Sequence, residues 1–354
     1  MKLLRLLCIF TIAVGLPVFG QVTISGNLPQ NNSTFTLPVT ISAKASSLKG
    51  ISGWAVYFGN AEYYSSQTGL NGILDVSVSG APTGAGQKVT ITAFDNSGAY
   101  NSYVATNVTV VASLLPAVPQ SATAYTNLQV QGSPGWNYCI DAGCSGSKAS
   151  SSCSGNVTYG NSSPSLGGAS MLQTITGTYC NILNYRKLAC PTQGCNAVHN
   201  LLEDMWFQTA ATNQMQGSEF DPDLFTGTYE YQLSTQCRLV SDGSTQNPAG
   251  FWYLWDMRNN KWVPTSYPCT ATTIAAGTWH HYQLYGTVDT TNHTQTYETF
   301  VFDGKTVFQN LGILYGAVAK SSSAFVNIQG QIDNGGQANP TNTSYYDNYN
   351  LWVW

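Results

Sequence analysis

The sequence predicts an all-β protein built from two β-sandwiches. Of its 354 residues, 12% are aromatic and only 8% are charged, against roughly 25% charged in an average globular protein. It contains 34 Gly and 21 Tyr, and aromatic and β-branched side chains pack well on a half-buried pleated surface. The formal charge of −4 offers no cationic field for nucleic acid or anionic lipid. The composition therefore excludes a disordered or nucleic-acid-binding chain and favours a neutral ligand, or a charged one that is recognised locally.

Residues 1–20 have the pattern of a secretory signal peptide. Lys2 and Arg5 form a charged start, an apolar run follows from Leu6 to Leu16, and Gly20 precedes the predicted mature start at Gln21. No later stretch approaches the ~18 apolar residues that a membrane span needs. We therefore expect a secreted or cell-surface-associated protein without a membrane span.

The cysteines indicate disulfide bonds. The chain has 9 Cys, and removal of the signal peptide removes Cys8. An even set remains, which in an exported protein predicts disulfides with 105 possible pairings. These candidates are Cys139, Cys144, Cys153, Cys180, Cys190, Cys195, Cys237 and Cys269. A metal site at Cys190 and Cys195 would need histidine partners at finger spacing, which the sequence lacks. We expect the pairs Cys190–Cys195 and Cys237–Cys269.

Residues 21–112 predict the first sandwich. Apolar residues alternate with period two in short runs separated by turn clusters, and about seven strands in about 90 residues is the size of an immunoglobulin-like sandwich. The runs Gly53 to Tyr57 and Val89 to Asp95 resemble those of bacterial immunoglobulin-like modules of secreted and surface proteins. The segment has no Cys, so it cannot form the inter-sheet disulfide of antibody domains. Residues 113–124 contain two prolines and no charge, and predict a linker.

Residues 125–354 predict a second, larger sandwich. About a dozen strands in one antiparallel domain require a double sheet or a closed barrel, and we expect a jelly roll. Three stretches, 277–282, 297–305 and 346–352, resemble the late strands of the concanavalin A-like lectin/glucanase superfamily. They begin with Gly277-Thr-Trp-His-His-Tyr282 and end with Tyr346-Asp-Asn-Tyr-Asn-Leu-Trp352. The resemblance implies a jelly-roll fold with a carbohydrate-related function.

Three carboxylates form the sharpest candidate for catalysis. Glu219, Asp221 and Asp223 share one face of a strand, with neighbours about 6.6 Å apart along the backbone. Such spacing can poise one carboxylate as a nucleophile and raise the pKa of another. The string resembles the Glu-x-Asp-x-Glu signature of the glucanases, which implies a nucleophile at Glu219 and a modulator at Asp221. The acid position holds the shorter Asp223. Alternatively, these carboxylates bind Ca²⁺, cap a turn or solvate a strand end.

Aromatic and amide side chains form a candidate ligand groove. Sugar rings stack on flat aromatics, and a few well-placed polar groups fix their orientation. The candidate ligand-binding residues are Trp206, Gln208, Gln214, Gln236, Arg238, Trp252, Trp255 and His281. Alternation places Trp252 and Trp255 on opposite faces of one strand, so one of them belongs to the core.

The leading hypothesis is a secreted carbohydrate-binding or adhesive protein that recognises a polysaccharide or other glycan through the C-terminal jelly roll. We expect a monomer with no nucleic-acid partner and no cofactor beyond a structural Ca²⁺. One alternative is a retaining glycoside hydrolase that acts through Glu219. A second is a polysaccharide lyase, in which His280 or His281 serves with Tyr282 as acid and base while Arg238 neutralises a uronate.

Overall fold

The computed structural model describes residues 21–37, 39–66, 72–78, 80–113, 115–141, 144, 152–210, 214–240, 248–308 and 311–354. The predicted signal peptide lies outside these residues. In this part of the chain, no helix is long and apolar enough to cross a membrane. Strands dominate it, together with one short 3-10 turn over Cys195–Ala197. The all-β prediction is confirmed.

The first sandwich contains a three-stranded and a five-stranded sheet. Its strands are β1 (Thr23–Leu28), β2 (Thr34–Thr36), β3 (Val39–Ser46), β4 (Ile51–Phe58), β5 (Ala61–Ser66), β6 (Ile73–Val78), β7 (Gly84–Asp95) and β8 (Tyr100–Val111). The sheet orders are β1-β3-β6 and β2-β8-β7-β4-β5. Trp54, Val56 and Ile91 fill the layer between the sheets, because period-two alternation turns these side chains inward.

The second sandwich has eighteen strands in two sheets of nine. They are β9 (Thr123–Tyr125), β10 (Asn137–Ile140), β11 (Ser154–Asn161), β12 (Ser170–Thr176), β13 (Asn181–Leu188), β14 (Asn200–Thr209), β15 (Met215–Phe225), β16 (Tyr229–Gln232), β17 (Thr235–Arg238), β18 (Phe251–Asp256), β19 (Lys261–Pro268), β20 (His280–Asp289), β21 (Thr294–Phe302), β22 (Lys305–Phe308), β23 (Ile313–Gly316), β24 (Val318–Ala319), β25 (Phe325–Asn334) and β26 (Thr341–Val353). One sheet runs β10-β13-β25-β15-β17-β18-β19, with β16 paired to β15 and β24 paired to β16. The other runs β11-β12-β26-β14-β20-β21-β22, with β23 paired to β21 and β9 paired to β26.

The two large sheets pack face to face as a jelly-roll sandwich. Aromatic rings from both sheets meet between them: Phe220 lies 4.6 Å from Tyr282, and Trp252 lies 4.7 Å from Phe300, measured between ring centroids. These side chains are almost fully buried. Because β15 turns Phe220 inward, its neighbours at 219 and 221 point to the opposite side of the sheet.

Four disulfide bonds stabilise the second sandwich: Cys139–Cys144, Cys153–Cys180, Cys190–Cys195 and Cys237–Cys269. The eight predicted cysteines are all used, and both favoured pairs are confirmed. Disulfides persist in oxidising compartments, so these bonds are consistent with an extracellular protein.

The two sandwiches contact each other directly. Leu166 and Trp206 of the second sandwich belong to the apolar cluster that contains the core of the first. The Ser42 hydroxyl donates to the Leu166 carbonyl at 3.4 Å, and the Lys44 ammonium donates to the Ser162 carbonyl at 3.3 Å. The first sandwich therefore covers part of the sheet that carries Trp206.

Candidate functional site

The outward side of the sheet that contains β15 is lined with amide and carboxyl groups, and we call it the polar face. One row across β25, β15, β17 and β18 consists of Gln331, Glu219, Gln236 and Tyr253. The face as a whole comprises Glu219, Asp221, Asp223, Gln236, Arg238, Tyr253, Trp255, Gln329, Gln331 and Asp333. Register fixes this grouping, because residues that align across neighbouring strands share a face. The three predicted carboxylates thus lie together with Gln236, Arg238 and Trp255.

A hydrogen-bond network links Glu219 to a carboxyl group from the neighbouring strand. The side-chain amide of Gln236 donates to Glu219 and also to Asp333 Oδ2 at 3.3 Å. Gln331 donates to Asp333 Oδ1 at 2.9 Å, and the Arg238 Nε donates to Gln236 Oε1 at 2.5 Å. The carboxyls of Glu219 and Asp333 therefore share one donor and lie side by side.

Asp333 is a site residue that the sequence analysis missed. It lies on β25, where Gln329, Gln331 and Asp333 alternate with inward-facing residues such as Ile332. That period-two run of polar residues is the signal that marks the face. Its pairing with β15 involves residues more than a hundred positions apart, so local spacing does not reveal it.

Gly217 fits the network because it has no side chain. A Cβ atom at this position would lie 3.1 Å from Gln236 Nε2 and 3.3 Å from Asp333 Oδ2. The two polar side chains therefore fold over the glycine backbone, and any larger residue would push them apart.

The other two predicted carboxylates are buried nearby. Asn327 Nδ2 donates to Asp223 Oδ2 at 2.9 Å, and Gln329 donates to the same oxygen. Among the described residues, Asp221 Oδ1 and Asp223 Oδ1 are buried without a hydrogen-bond partner. An acceptor left unpaired in a buried site is costly when the carboxyl is charged.

Burial changes the protonation of these acids. It raises the pKa of Asp221 to about 7 and that of Asp333 to about 6. Burial, together with the neighbouring charges of Asp333 and Asp221, raises the pKa of Glu219 well above its usual value. Burial likewise raises the pKa of Asp223. A nucleophile must be ionised, so this environment opposes the nucleophile role that the glucanase resemblance implies for Glu219 and favours neutral, hydrogen-bonding carboxyls.

Aromatic rings border the polar face. Trp255 on β18 aligns with Trp262 on β19, their ring centroids are 5.1 Å apart, and both residues are half-buried. The Trp255 backbone N–H donates to the carbonyl of Ser234, which directly precedes β17. This hydrogen bond joins β18 to the strand beside β15. On the same face, the Arg238 guanidinium lies 4.9 Å from the ring centroid of Tyr253. Two flat, partly accessible indoles thus extend the amide and carboxyl rows toward the sheet edge.

Several predicted ligand-binding residues lie elsewhere. Trp252 is 2% exposed and packs between the sheets. Gln214 precedes β15, and its carbonyl accepts a hydrogen bond from the Gly335 N–H at 2.8 Å, at one end of the polar face. Trp206, Gln208 and His281 belong to the other sheet.

The outward side of that other sheet, which we call the covered face, carries Asp204, Trp206, His281, Gln283 and Asp347. The His281 ring stacks on Trp206 at 4.6 Å between centroids and lies with Nε2 2.9 Å from Asp204 Oδ1. Trp206 is 4% exposed because it packs toward the first sandwich. On the same strand, the Gln208 side chain donates to the Gly277 carbonyl at 2.6 Å. These groups therefore bond within the protein.

The lyase residues do not form one site. The Tyr282 hydroxyl lies between the sheets, 2.8 Å from Thr235 Oγ1, and its side chain is fully buried. His280 Nδ1 lies 2.8 Å from Asp303 Oδ2, whereas His281 is on the covered face and Arg238 is on the polar face. Tyr282, His281 and Arg238 thus occupy three different layers.

The Ca²⁺ alternative would require clustered oxygen ligands. Within the described ranges, no group of three or more His, Cys, Asp or Glu side chains is placed to hold a metal ion. The carboxyls of Asp223 and Asp333 instead accept hydrogen bonds from asparagine and glutamine amides.

Comparison with known proteins gives only distant similarities. No family model matches the chain, and no curated protein matches it. Similar solved structures include a carbohydrate esterase from the Shiga toxin-encoding bacteriophage phi24B, with 12% identity, coverage of 66% of this chain and 99% of that chain, and a TM-score of 0.33. Lectin II from Ulex europaeus has 10% identity, coverage of 65% and 97%, and a TM-score of 0.34. The CBM2 module of the Lactobacillus casei BL23 phage J-1 evolved Dit has 14% identity, coverage of 66% and 91%, and a TM-score of 0.29.

Proposed function

We propose that this is an exported protein that binds a polysaccharide through the polar face of the second sandwich. One observation carries the proposal: fixed amide and carboxyl groups share a sheet face with two half-buried indoles, Trp255 and Trp262. The hydroxyl groups of a sugar can bond to the amide and carboxyl groups, and the C–H face of its ring can stack on the indoles. Burial raises the pKa of Glu219 well above its usual value, and a carboxyl that keeps its proton both donates and accepts hydrogen bonds, as a hydroxyl ligand requires.

The network also favours binding energetically. Gln236, Gln331 and Arg238 are already held by hydrogen bonds within the protein, so they lose little side-chain freedom when a ligand arrives. The face carries one guanidinium among several acids, which favours a neutral glycan over a polyanion. We infer that the acids serve recognition and local packing rather than turnover.

Affinity electrophoresis tests the proposal on the full mature chain. Gels containing hydroxyethylcellulose, galactomannan or xylan should retard the wild-type protein. Removal of one stacking indole by Trp255→Ala or Trp262→Ala should weaken binding about three- to tenfold. Trp354→Ala is the matched control, because Trp354 is also half-buried and stacks on one ring, Tyr285, but belongs to the other sheet. Equal retardation of all four proteins would contradict the proposal.

A glycoside hydrolase is the second candidate. The observation that favours it is the raised pKa of Glu219 beside Asp333, because a carboxyl held protonated suits a general acid. The same polysaccharides should be assayed for new reducing ends with wild-type protein and Glu219→Gln. We expect no release from either protein. Retardation of the variant should stay nearly the same, because a glutamine amide, like a protonated carboxyl, both donates and accepts hydrogen bonds. Release that Glu219→Gln abolishes would establish the hydrolase instead.

We further propose that residues 21–112 and 125–354 are two domains joined by the linker 113–124, and that the protein is a monomer. Light scattering should give the mass of a single mature chain. Limited proteolysis should cut first within 116–122, between the buried Leu115 and β9, and leave two resistant fragments. A dimer mass, or first cleavage inside either sandwich, would contradict these assignments.

A further inference from the structure

The first sandwich has a cleft on the outward side of its five-stranded sheet. Trp54 and Val56 face the core, so Gly53, Ala55 and Tyr57 on the same strand point outward. The cleft has a volume of about 420 Å³, within the range of about 300 to 1,000 Å³ typical of small-ligand sites. Gly53 and Ala55 in the middle of β4 have little or no side chain, so a flat ring can approach the strand backbone there.

One side of this cleft is lined by the aromatic side chain of Phe94. Phe94 on β7 aligns with Gly53 on one side and with Tyr100 on the other. The ring centroids of Phe94 and Tyr100 are 6.0 Å apart, with planes at 44°. Tyr100 is 69% exposed, so its ring contributes little to the core. Tyr100 therefore extends the aromatic surface of Phe94 beyond the residues that line the cleft.

Polar groups form the opposite side. The Tyr57 hydroxyl donates to Glu62 Oε2 at 3.0 Å, and Ser65 aligns with Ala55 across the edge strand β5. The cleft is lined by these groups, and none of the described residues that line it is Lys, Arg or His. A hydroxyl, a carboxylate and a serine suit the hydroxyl groups of a sugar, whereas an anionic ligand would meet Glu62 without a compensating cation.

We propose that this cleft is a second glycan-binding site that takes a neutral sugar residue, independent of the polar face. The ring stacks against Phe94, with Tyr100 beside Phe94 at the rim, and its hydroxyls bond to Glu62, Tyr57 and Ser65. An ammonium ligand fits less well, because the two rings form one open wall rather than a cage and Glu62 already accepts a hydrogen bond from Tyr57. A protein with two separated sugar sites gains avidity on a polysaccharide chain.

The test uses the full mature chain carrying Trp255→Ala and Trp262→Ala together, which removes the indoles of the polar face. Gels with hydroxyethylcellulose, galactomannan or xylan should still retard this double variant. Adding Tyr100→Ala should weaken the remaining binding about three- to tenfold, and adding Glu62→Gln should weaken it as well. Both positions are exposed, so urea midpoints should stay unchanged and confirm folding.

The control is Tyr138→Ala in the same background, because Tyr138 is another exposed tyrosine, 46% accessible, located on the second sandwich. It should leave retardation unchanged. Absence of retardation for the double variant in every gel would overturn the proposal. Retardation that persists after both Tyr100→Ala and Glu62→Gln would overturn it equally.

Discussion

The polar face and the covered face of the second sandwich carry similar kinds of side chain and use them differently. Each combines indoles, acids and glutamines on the outward side of a large sheet. On the covered face, Trp206 packs toward the first sandwich and Asp347 accepts hydrogen bonds from the segment that carries Leu166. On the polar face, Trp255 and Trp262 are half-buried, and Glu219 accepts a hydrogen bond from Gln236 of its own sheet.

The difference shows that residue type alone does not mark a binding surface. Similar side chains attach the first sandwich on the covered face and, as we propose, contact a glycan on the polar face. The two faces differ because Trp206 packs against the first sandwich, whereas Trp255 and Trp262 are only half-buried. The following predictions test that separation.

The acids of the polar face should make stability depend on pH. An aspartate has a pKa near 3.8 when unperturbed, and burial raises the pKa of Asp221 to about 7. The folded state then keeps a proton that the unfolded state releases, so the free energy of unfolding should fall by about 4 kcal/mol as pH rises from 4 to 8. Urea titrations across this range should show the fall, and Asp221→Asn should reduce it.

Asp289→Asn is the control variant for this fall in the free energy of unfolding with pH. Hydrogen bonds from Asn292 lower the pKa of Asp289, so this acid favours the opposite trend and its removal should leave the fall in place. A free energy of unfolding that does not change with pH in the wild-type protein would contradict the burial of these acids on the polar face.

The sheet of the polar face is stabilised covalently. Cys237 on β17 and Cys269 close a loop with a sequence separation of 32, whereas Cys190 and Cys195 are separated by 5. Loop-closure entropy predicts that replacing the first pair by serines lowers the free energy of unfolding by about 4 kcal/mol, and the second pair by about 2 kcal/mol. Urea unfolding of both double variants checks the ranking, and equal losses would refute it.

Truncation of an indole should affect stability on one face and binding on the other. Trp206→Ala should lower the free energy of unfolding by about 3 kcal/mol, because it empties a buried contact with the first sandwich. It should leave glycan retardation unchanged. Trp255→Ala should show the reverse pattern, with a smaller loss of stability and weaker retardation. Weakened glycan binding by Trp206→Ala would break the distinction between the faces.

Asp347 should stabilise the covered face through its hydrogen bonds. It accepts from the Ser165 hydroxyl at 2.7 Å and from the N–H groups of Leu166 and Gly167 at 2.6 and 3.1 Å. Asp347→Asn keeps the shape but removes the charge, and should cost about 2 kcal/mol. Faster proteolysis within 162–170 should accompany the loss in urea unfolding. Asp289→Asn, at the end of β20, should leave this segment protected.

The local sequence pattern predicted much of the fold, whereas the register of strand pairing determined which residues meet at the candidate site. The runs Gly53 to Tyr57 and Val89 to Asp95 lie within β4 and β7, and the even cysteine count predicted the disulfides. The pattern also grouped Glu219 with Asp221 on one face. It missed Asp333, because strand pairing over more than a hundred residues leaves no local trace. It also placed Trp206 and Trp255 together, although they lie on different sheets.

The sequence by itself determined the strands, the disulfide-forming cysteines and the alternation of inward and outward side chains, because these depend on neighbours along the chain. Only the tertiary structure decided what packs against each outward face. Burial of Trp206 against the first sandwich, and of Glu219 beside Asp333, arises from contacts between distant segments. Desolvation by those contacts raises the pKa values of the polar-face acids, and it exists only once the strands have assembled.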